Sequence, residues 1–244
     1  KEKIGKLLIS FSIPCIISML INSIYNIVDQ IFIGQGVGIV GNAATNVIFP
    51  IVILCNAIAG LFGNGCAANL SLRLGEGKKE EVAKSVGSTI TFTIIVSVLF
   101  STIAYLLLPV LVNFFGCTKS VFPYAISYGK IILIGAPFMI TYTMLSSIIR
   151  ADGSPKYSMI VLVTGAIINI ILDAIFILKL NMGVKGGALA TIIGQIISCI
   201  MALLYLIKFK TVKIKKQDYK INSSITKIMS YGLSSFITQS TVLA

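Results

Sequence analysis

Histidine and tryptophan are absent from this 244-residue chain, and acidic residues number only eight. Without histidine the usual general base is missing and a Ser-His-Asp triad is excluded. No nucleophile–base pair is legible elsewhere, so the chain is not expected to be an enzyme. The five cysteines, Cys15, Cys55, Cys66, Cys117 and Cys199, form no C-x-x-C pair, which leaves no disulfide framework or zinc site to read. They fit the role of small apolar fillers in helices. No G-x-x-x-x-G-K-[ST] occurs, which excludes a P-loop nucleotide site, and no cofactor is expected.

Charge is scarce too. Charged residues are 11% of the chain, hydrophobic residues 56%, and mean hydropathy is +0.97. A water-soluble globule of that composition would lack the polar surface to cover itself. Composition therefore predicts an integral membrane protein. The formal charge of +12 would suit nucleic acid only if basic residues clustered on a folded surface. They lie between apolar stretches instead, and no nucleic-acid partner is expected.

A helix crossing the ~30 Å hydrocarbon layer needs about 20 mostly apolar residues. Six stretches qualify: 7 to 33, 43 to 72, 83 to 115, 124 to 149, 156 to 179 and 184 to 207. A seventh opens near Ile225 and runs to Ala244, where it reads as truncated. The first is too long for a signal-peptide core and lacks a small-residue cleavage site, so it is expected to persist as a helix. Turn and charge signals mark the joints, "GQGVGIVGN", "RLGEGKKEE", "FGCTKS", "RADGSPK", "LNMGVKG" and "KFKTVKIKKQDYKINSS" among them. In "RADGSPK", Ser154 is expected to N-cap and Pro155 to open the fifth helix. The fold class predicted is all-α: a polytopic six-helix bundle plus the start of a seventh helix.

Sixteen of the twenty Lys and Arg residues fall at the amino end or in the even-numbered loops, including Lys1, Lys3, Lys6, Arg73, Lys84, Arg150 and the run from Lys208 to Lys227. The positive-inside rule then places the amino terminus and the even-numbered loops on the cytoplasmic side, and 18 lysines against two arginines suit a bacterial inner membrane. The last loop is basic enough to rest on anionic membrane lipid. Of the carboxylates only Asp29 and Asp173 lie inside spans.

Those two acids are expected at matched depth. Asp29 is about one turn from the far end of the first span, and Asp173 lies within two turns of the same edge of the fifth. At 100° per residue Ser18, Asn22, Tyr25, Asn26 and Asp29 share one face of the first helix, while Ile13, Ile17, Leu20, Ile24, Ile27 and Ile31 take the other. Asn169 and Asp173 stand at i, i+4, with Gly165 and Ala166 leaving room beside them. In the sixth span Gly183, Gly187, Ala190, Thr191 and Gly194 form a small-residue stripe that lets a neighbouring backbone approach. Thr191 then offers a hydroxyl at comparable depth. An acid inside a span is functional by default, and a pair facing one pocket is relieved of its repulsion by a proton, a sodium ion or a cationic ligand. Pro14, Pro50 and Pro137 lie inside spans, where proline kinks a helix. Pro14 is the one on the acid-bearing helix.

"ISFSIPCIISMLINSIYNIVDQIFIG", "RLGEGKKEEVAKS", "RADGSPKYSM" and "NIILDAIFI...MGVKGGALATIIGQ" together resemble the multidrug and toxic compound extrusion (MATE) transporters, in order and over essentially the whole chain. The resemblance implies two six-helix lobes, of which residues 1–207 would be the amino-terminal one. Residues 208–224 would be the basic cytoplasmic linker, and 225–244 the start of the second lobe. A repeat offset aligns Ile4, Lys6 and Ile16 with Ile225, Lys227 and Ile237, but sets Ser235 where Pro14 would fall. The family's proline in that helix is missing. The resemblance further implies a monomer that exports organic cations and other amphipathic small molecules in exchange for protons or sodium. Its amino-lobe cation site matches Asp29, Asn169, Asp173 and Thr191, which would be the metal ligands if Na+ is the coupling ion. Cavity lining or gating would fall to Pro14, Ser18, Asn22, Tyr25 and Asn26. Lipid-linked oligosaccharide flippases share the architecture. Their anionic cargo calls for arginines in the cavity, whereas Arg73 and Arg150 sit at helix ends and Lys130 is near enough to an edge to snorkel. A non-transporting membrane protein is the remaining alternative.

Overall fold

The computed structural model describes residues 4–243. Lys1, Glu2, Lys3 and Ala244, which entered the charge and boundary arguments, lie outside the described residues, as does the Lys6 side chain. Seven long helices follow one another: α1 (Ile4–Val37), α2 (Ile39–Gly75), α3 (Lys79–Phe114), α4 (Phe122–Ala151), α5 (Pro155–Asp173), α6 (Val184–Tyr205) and α7 (Ser224–Ser240). Among the described residues there is no strand, and six helices are long and apolar enough to cross a membrane.

Several boundaries differ from the sequence expectation. The joint expected over "GQGVGIVGN" shrinks to one residue, Gly38, whose φ of +81° breaks α1 from α2. Only glycine takes that conformation without strain. In "RADGSPK", Gly153 at φ +77° ends α4, and Ser154 N–H returns to the Ile149 carbonyl at 3.1 Å in a Schellman ending. Pro155 opens α5 as expected, but the Ser154 side chain makes no cap hydrogen bond. Its hydroxyl instead pairs with Tyr205 Oη of α6 at 2.7 Å, donating to it, since the single Tyr205 proton goes to the Asp152 carboxylate. The fifth span is not one uniform helix: α5 stops at Asp173 and Ala174–Lys179 forms a π-helical turn. There Leu180 N–H reaches the Ile175 carbonyl at 2.9 Å, an i to i+5 bond.

The helices run through Pro14, Pro50 and Pro137, and through Pro109 of α3, which the sequence reading passed over. One turn after two of these a hydroxyl bonds back to the proline's own carbonyl: Ser18 Oγ donates to Pro14 O and Thr141 Oγ1 to Pro137 O, each at 2.7 Å. Such back-bonding bends a helix.

α4 is the most enclosed span and packs on α2, α3, α5 and α6. One apolar core, with Leu70, Val86, Met144, Ile148 and Ile228, fills the end of the bundle that carries Arg73 and Arg150. A second, with Ile33, Ile48, Leu108, Leu133 and Ile177, fills the other end. α7 packs against α2 at a crossing of two glycines. The segment between α6 and α7 is tied down at both ends. Asp152 accepts from Lys210 N–H at 2.7 Å and from Thr211 N–H and Oγ1 at 2.9 and 2.7 Å. Thr91 Oγ1 donates to the Tyr219 carbonyl at 2.9 Å.

Candidate cation site and cavity

The α1 face predicted to be polar turns inward in part. Asp29 is 7% exposed, whereas Ile13, Leu20, Ile24, Ile27 and Ile31 on the opposite face are each more than half exposed. That apolar face suits hydrocarbon or another apolar surface, and not water. Asp173 is fully buried. Because α1 continues to Val37, Asp29 lies about two turns from the helix end, deeper than the one turn expected.

α1 packs directly on α5, and there the carboxyls of Asp29 and Asp173 come within hydrogen-bonding reach of each other. Gln30 also reaches Asp29, while its amide pairs with Thr45 Oγ1 of α2 at 3.0 and 3.1 Å. Neither Asp29 Oδ1 nor Asp173 Oδ1 has a hydrogen-bond partner among the described residues. Two orphaned, buried carboxylate oxygens are what a proton or a small cation would satisfy. Groups of three or more His, Cys, Asp or Glu placed for a metal are absent among the described residues, so any metal here needs the neutral oxygens nearby.

Asn169 and Thr191 are the neutral polar groups beside the pair. The Asn169 amide lies between Asp173 Oδ2 at 3.2 Å, which only accepts, and Thr191 N–H at 3.2 Å, which only donates. Its nitrogen therefore belongs on the Asp173 side and its oxygen on the Thr191 side, where Thr191 Oγ1 also donates at 3.2 Å. The contact exists because α5 and α6 cross at Gly165 and Gly194. A Cβ on Gly165 would overlap Ser198 Oγ, and one on Gly194 would lie 2.7 Å from the Gly165 carbonyl oxygen.

Asn169 and Thr191 also line a narrow cavity of about 40 Å³ between α1, α4, α5 and α6. Its other walls include Ser18, Asn22, Tyr25, Tyr142, Ala166, Gln195 and Ser198, and none of the lining residues is charged. Asn169 thus faces the acid pair on one side and the cavity on the other. Of the residues predicted from the first helix, Ser18, Asn22 and Tyr25 reach this cavity and Asn26 does not. Asn26 Nδ2 folds back to the Asn22 carbonyl at 2.7 Å, and Asn26 lines a separate open depression with Gln30 and Asn42. Pro14 is buried one turn below Ser18 and is not in the wall.

Sequence reasoning missed Tyr142, Gln195 and Gln30. Gln195 was findable, since it stands at i+4 from Thr191 on the same face. Tyr142 carried no signal beyond its place in an apolar span. The π-helical turn was also missed. It begins directly after Asp173 and drives the Ile177 side chain against Gly36, where a Cβ would overlap Ile177 Cγ2.

Comparison with known proteins finds relatives along nearly the whole chain. The multidrug export protein MepA of Staphylococcus aureus is 29% identical over an alignment of 246 residues, covering 97% of this chain and 53% of its own. A probable multidrug resistance protein of Bacillus subtilis, YoeA, is 25% identical over 214 residues, covering 86% of this chain and 46% of its own. Among solved structures, the MATE multidrug transporter DinF-BH superimposes with a TM-score of 0.93 at 36% identity, covering 98% of this chain and 54% of that one. The chain spans about half the length of the curated relatives it matches. The six long apolar helices and these relatives make it a multi-pass membrane protein. With the MatE family model matching residues 14–175, the chain belongs to that family.

Proposed function

We propose that this chain forms one half of a secondary active antiporter that exports amphipathic or cationic drugs in exchange for protons or sodium. The observation that carries the reading is Asn169, which hydrogen-bonds Asp173 while lining the cavity. Occupancy of the acid pair is thereby linked to the shape of the cavity wall by one side chain. The wall is amphipathic and holds no lysine or arginine among the described residues, which suits a cationic or neutral guest and gives an anionic lipid pyrophosphate nothing to bind.

Two carboxyls in contact repel when both are ionised, and a proton or sodium ion removes that repulsion. A proton sits between Asp29 and Asp173; sodium also takes Asn169 and Thr191 as ligands once the amide turns its oxygen from Thr191 toward the pair, and either ion is co-substrate and not cofactor. Its arrival draws Asp29 toward Asp173 and so shifts α1 against α5, with the Pro14 bend as the flexible point. The drug leaves as the wall moves, and release of the ion on the other side resets it. In this reading residues 1–207 are the amino-terminal lobe, 208–224 the cytoplasmic linker and 225–244 the opening of the second lobe. The amino terminus is cytoplasmic in a bacterial inner membrane. The relatives' names support drug export.

Dye efflux from proteoliposomes of the full-length protein tests it, under a sodium gradient alone and then a proton gradient alone. One gradient is expected to drive efflux, and Asp29→Asn with Asp173→Asn to abolish the response. Gradient-driven efflux at the parent rate in that double variant would end the coupling role.

A further inference from the structure

Outside the acid pair and its cavity, one cleft combines buried, unpaired and charged groups. It lies at the end of the bundle that carries Arg73, where α2, α3 and the start of α7 meet, and has a volume of about 280 Å³. Asn69 of α2 lines it while only 3% exposed, and its Nδ2 has no acceptor among the described residues.

The charges around it are also donors in search of an acceptor. Lys84 of α3 and Lys227 of α7 line the cleft, and neither is paired with a carboxylate among the described residues. Glu81 is the one acid in the lining, and Arg73 already holds it at 3.3 Å while bonding Glu76 at 2.8 Å. The cleft therefore presents three cations to one anion, with that anion neutralised. Its shape is fixed by Asn222, which donates through Nδ2 to the Lys84 carbonyl at 3.2 Å and accepts from Ser224 N–H at 2.9 Å.

We infer that this cleft is a phosphate-oxyanion site, with Lys84 and Lys227 as its donors. A cation finds no free carboxylate there. A drug finds no apolar side chain to lie against, since every lining residue is charged, an asparagine or a serine. A phosphate takes several hydrogen bonds and carries the compensating charge. The cleft opens where apolar helices end in a basic rim, so the phosphate comes either from an anionic phospholipid headgroup or free from solution. Either ligand ties the start of α7 to the ends of α2 and α3.

Thermal unfolding of the full-length protein in nanodiscs separates these sources. One arm adds inorganic phosphate to phosphatidylcholine discs, against chloride at matched ionic strength. The other replaces part of the phosphatidylcholine by phosphatidylglycerol. A rise in Tm of about 2 °C or more is expected in at least one arm: in the first for free phosphate, in the second for a headgroup. Lys84→Gln with Lys227→Gln, both exposed, is expected to lose the rise without lowering the starting Tm. Lys208→Gln with Lys213→Gln removes the same charge outside the cleft and is expected to keep it. No rise in either arm, a rise retained by the first pair, or one lost equally by the control pair overturns the site.

Discussion

Asn169 bonds Asp173 through its amide nitrogen and Thr191 through its amide oxygen, so α5 and α6 are joined at the depth of the acid pair. The hydrogen bond to Asp173 runs to a charged group whenever that carboxyl is ionised, and such bonds contribute about 1.5–3 kcal/mol. Asn169→Ala is therefore expected to weaken binding of a fluorescent cationic dye roughly tenfold or more, since each 1.4 kcal/mol is a factor of ten. The ion dependence of that binding should flatten as well. Fluorescence anisotropy with and without sodium, and at two pH values, measures both. Dye affinity that falls while its ion dependence stays intact would make Asn169 a cavity wall and no link.

Much of this site was legible because a membrane span has so few reasons to hold polar atoms. Asp29 and Asp173 stood out against apolar neighbours, and the helical period put Asn169 on the Asp173 face before any contact was known. The Gly183 to Gly194 stripe anticipated the close α5–α6 approach, realised at Gly165 and Gly194. What escaped has local causes. The π-helical turn after Asp173 is a one-residue change of register that apolar periodicity does not report. Asn26 shares a face with Asp29, yet it bonds its own helix at Asn22, because an amide four residues along reaches the backbone before it reaches a neighbour. The hold on the α6–α7 segment was invisible because "KFKTVKIKKQDYKINSS" reads by composition as a solvated basic loop.

The α2–α7 crossing yields a stability prediction. A Cβ on Gly65 would overlap the Ile228 carbonyl oxygen, and one on Gly232 would overlap that of Leu61. Both obstacles are backbone, so no rotamer change relieves them and the helices must separate. Gly232→Ala and Gly65→Ala are each expected to destabilise by about 1–3 kcal/mol, the usual range for overpacking. The lowered Tm of purified protein checks this, against Gly75→Ala, where the added methyl meets open space. Equal Tm values for all three would mean that α7 is not held there.

At the α2–α3 turn the Glu76 carboxyl is held below the usual carboxylate range by its hydrogen bonds to Lys78 and then Arg73. A lowered folded-state value means that any stabilisation is present above the ordinary glutamate pKa of about 4.3 and is lost as pH falls through the lowered value. The group is fully solvated, and exposed pairs of this kind contribute little. Glu76→Gln is expected to lower Tm at neutral pH by no more than a degree or so and to converge with the parent on the acid side, where the carboxyl is protonated in both states. Tm measured across the acid range gives the answer, and a large loss at neutral pH would contradict it.

Asp152 offers the sharpest structural test. It is 2% exposed and accepts four hydrogen bonds, from Tyr205 Oη at 2.7 Å, Lys210 N–H at 2.7 Å, and Thr211 N–H and Oγ1 at 2.9 and 2.7 Å. Removing the carboxylate strands all four donors. Asp152→Ala is expected to cost about 3 kcal/mol or more, since each buried donor left unmet carries a desolvation penalty of about 1–3 kcal/mol, partly relieved by water. Tyr205→Phe removes one donor and keeps the ring, and should cost nearer ~1 kcal/mol. The loss is local before it is global, because the backbone freed at Lys210 and Thr211 adjoins Lys208 and Lys213, both of them trypsin targets. Limited trypsinolysis under native conditions is therefore expected to cut Asp152→Ala in this segment several-fold faster than the parent, with Tyr205→Phe between them. If cutting rates match while Tm falls, Asp152 stabilises the bundle without holding the segment. If cutting accelerates as expected, the acid in "RADGSPK" holds the start of the α6–α7 segment against the α4–α5 turn.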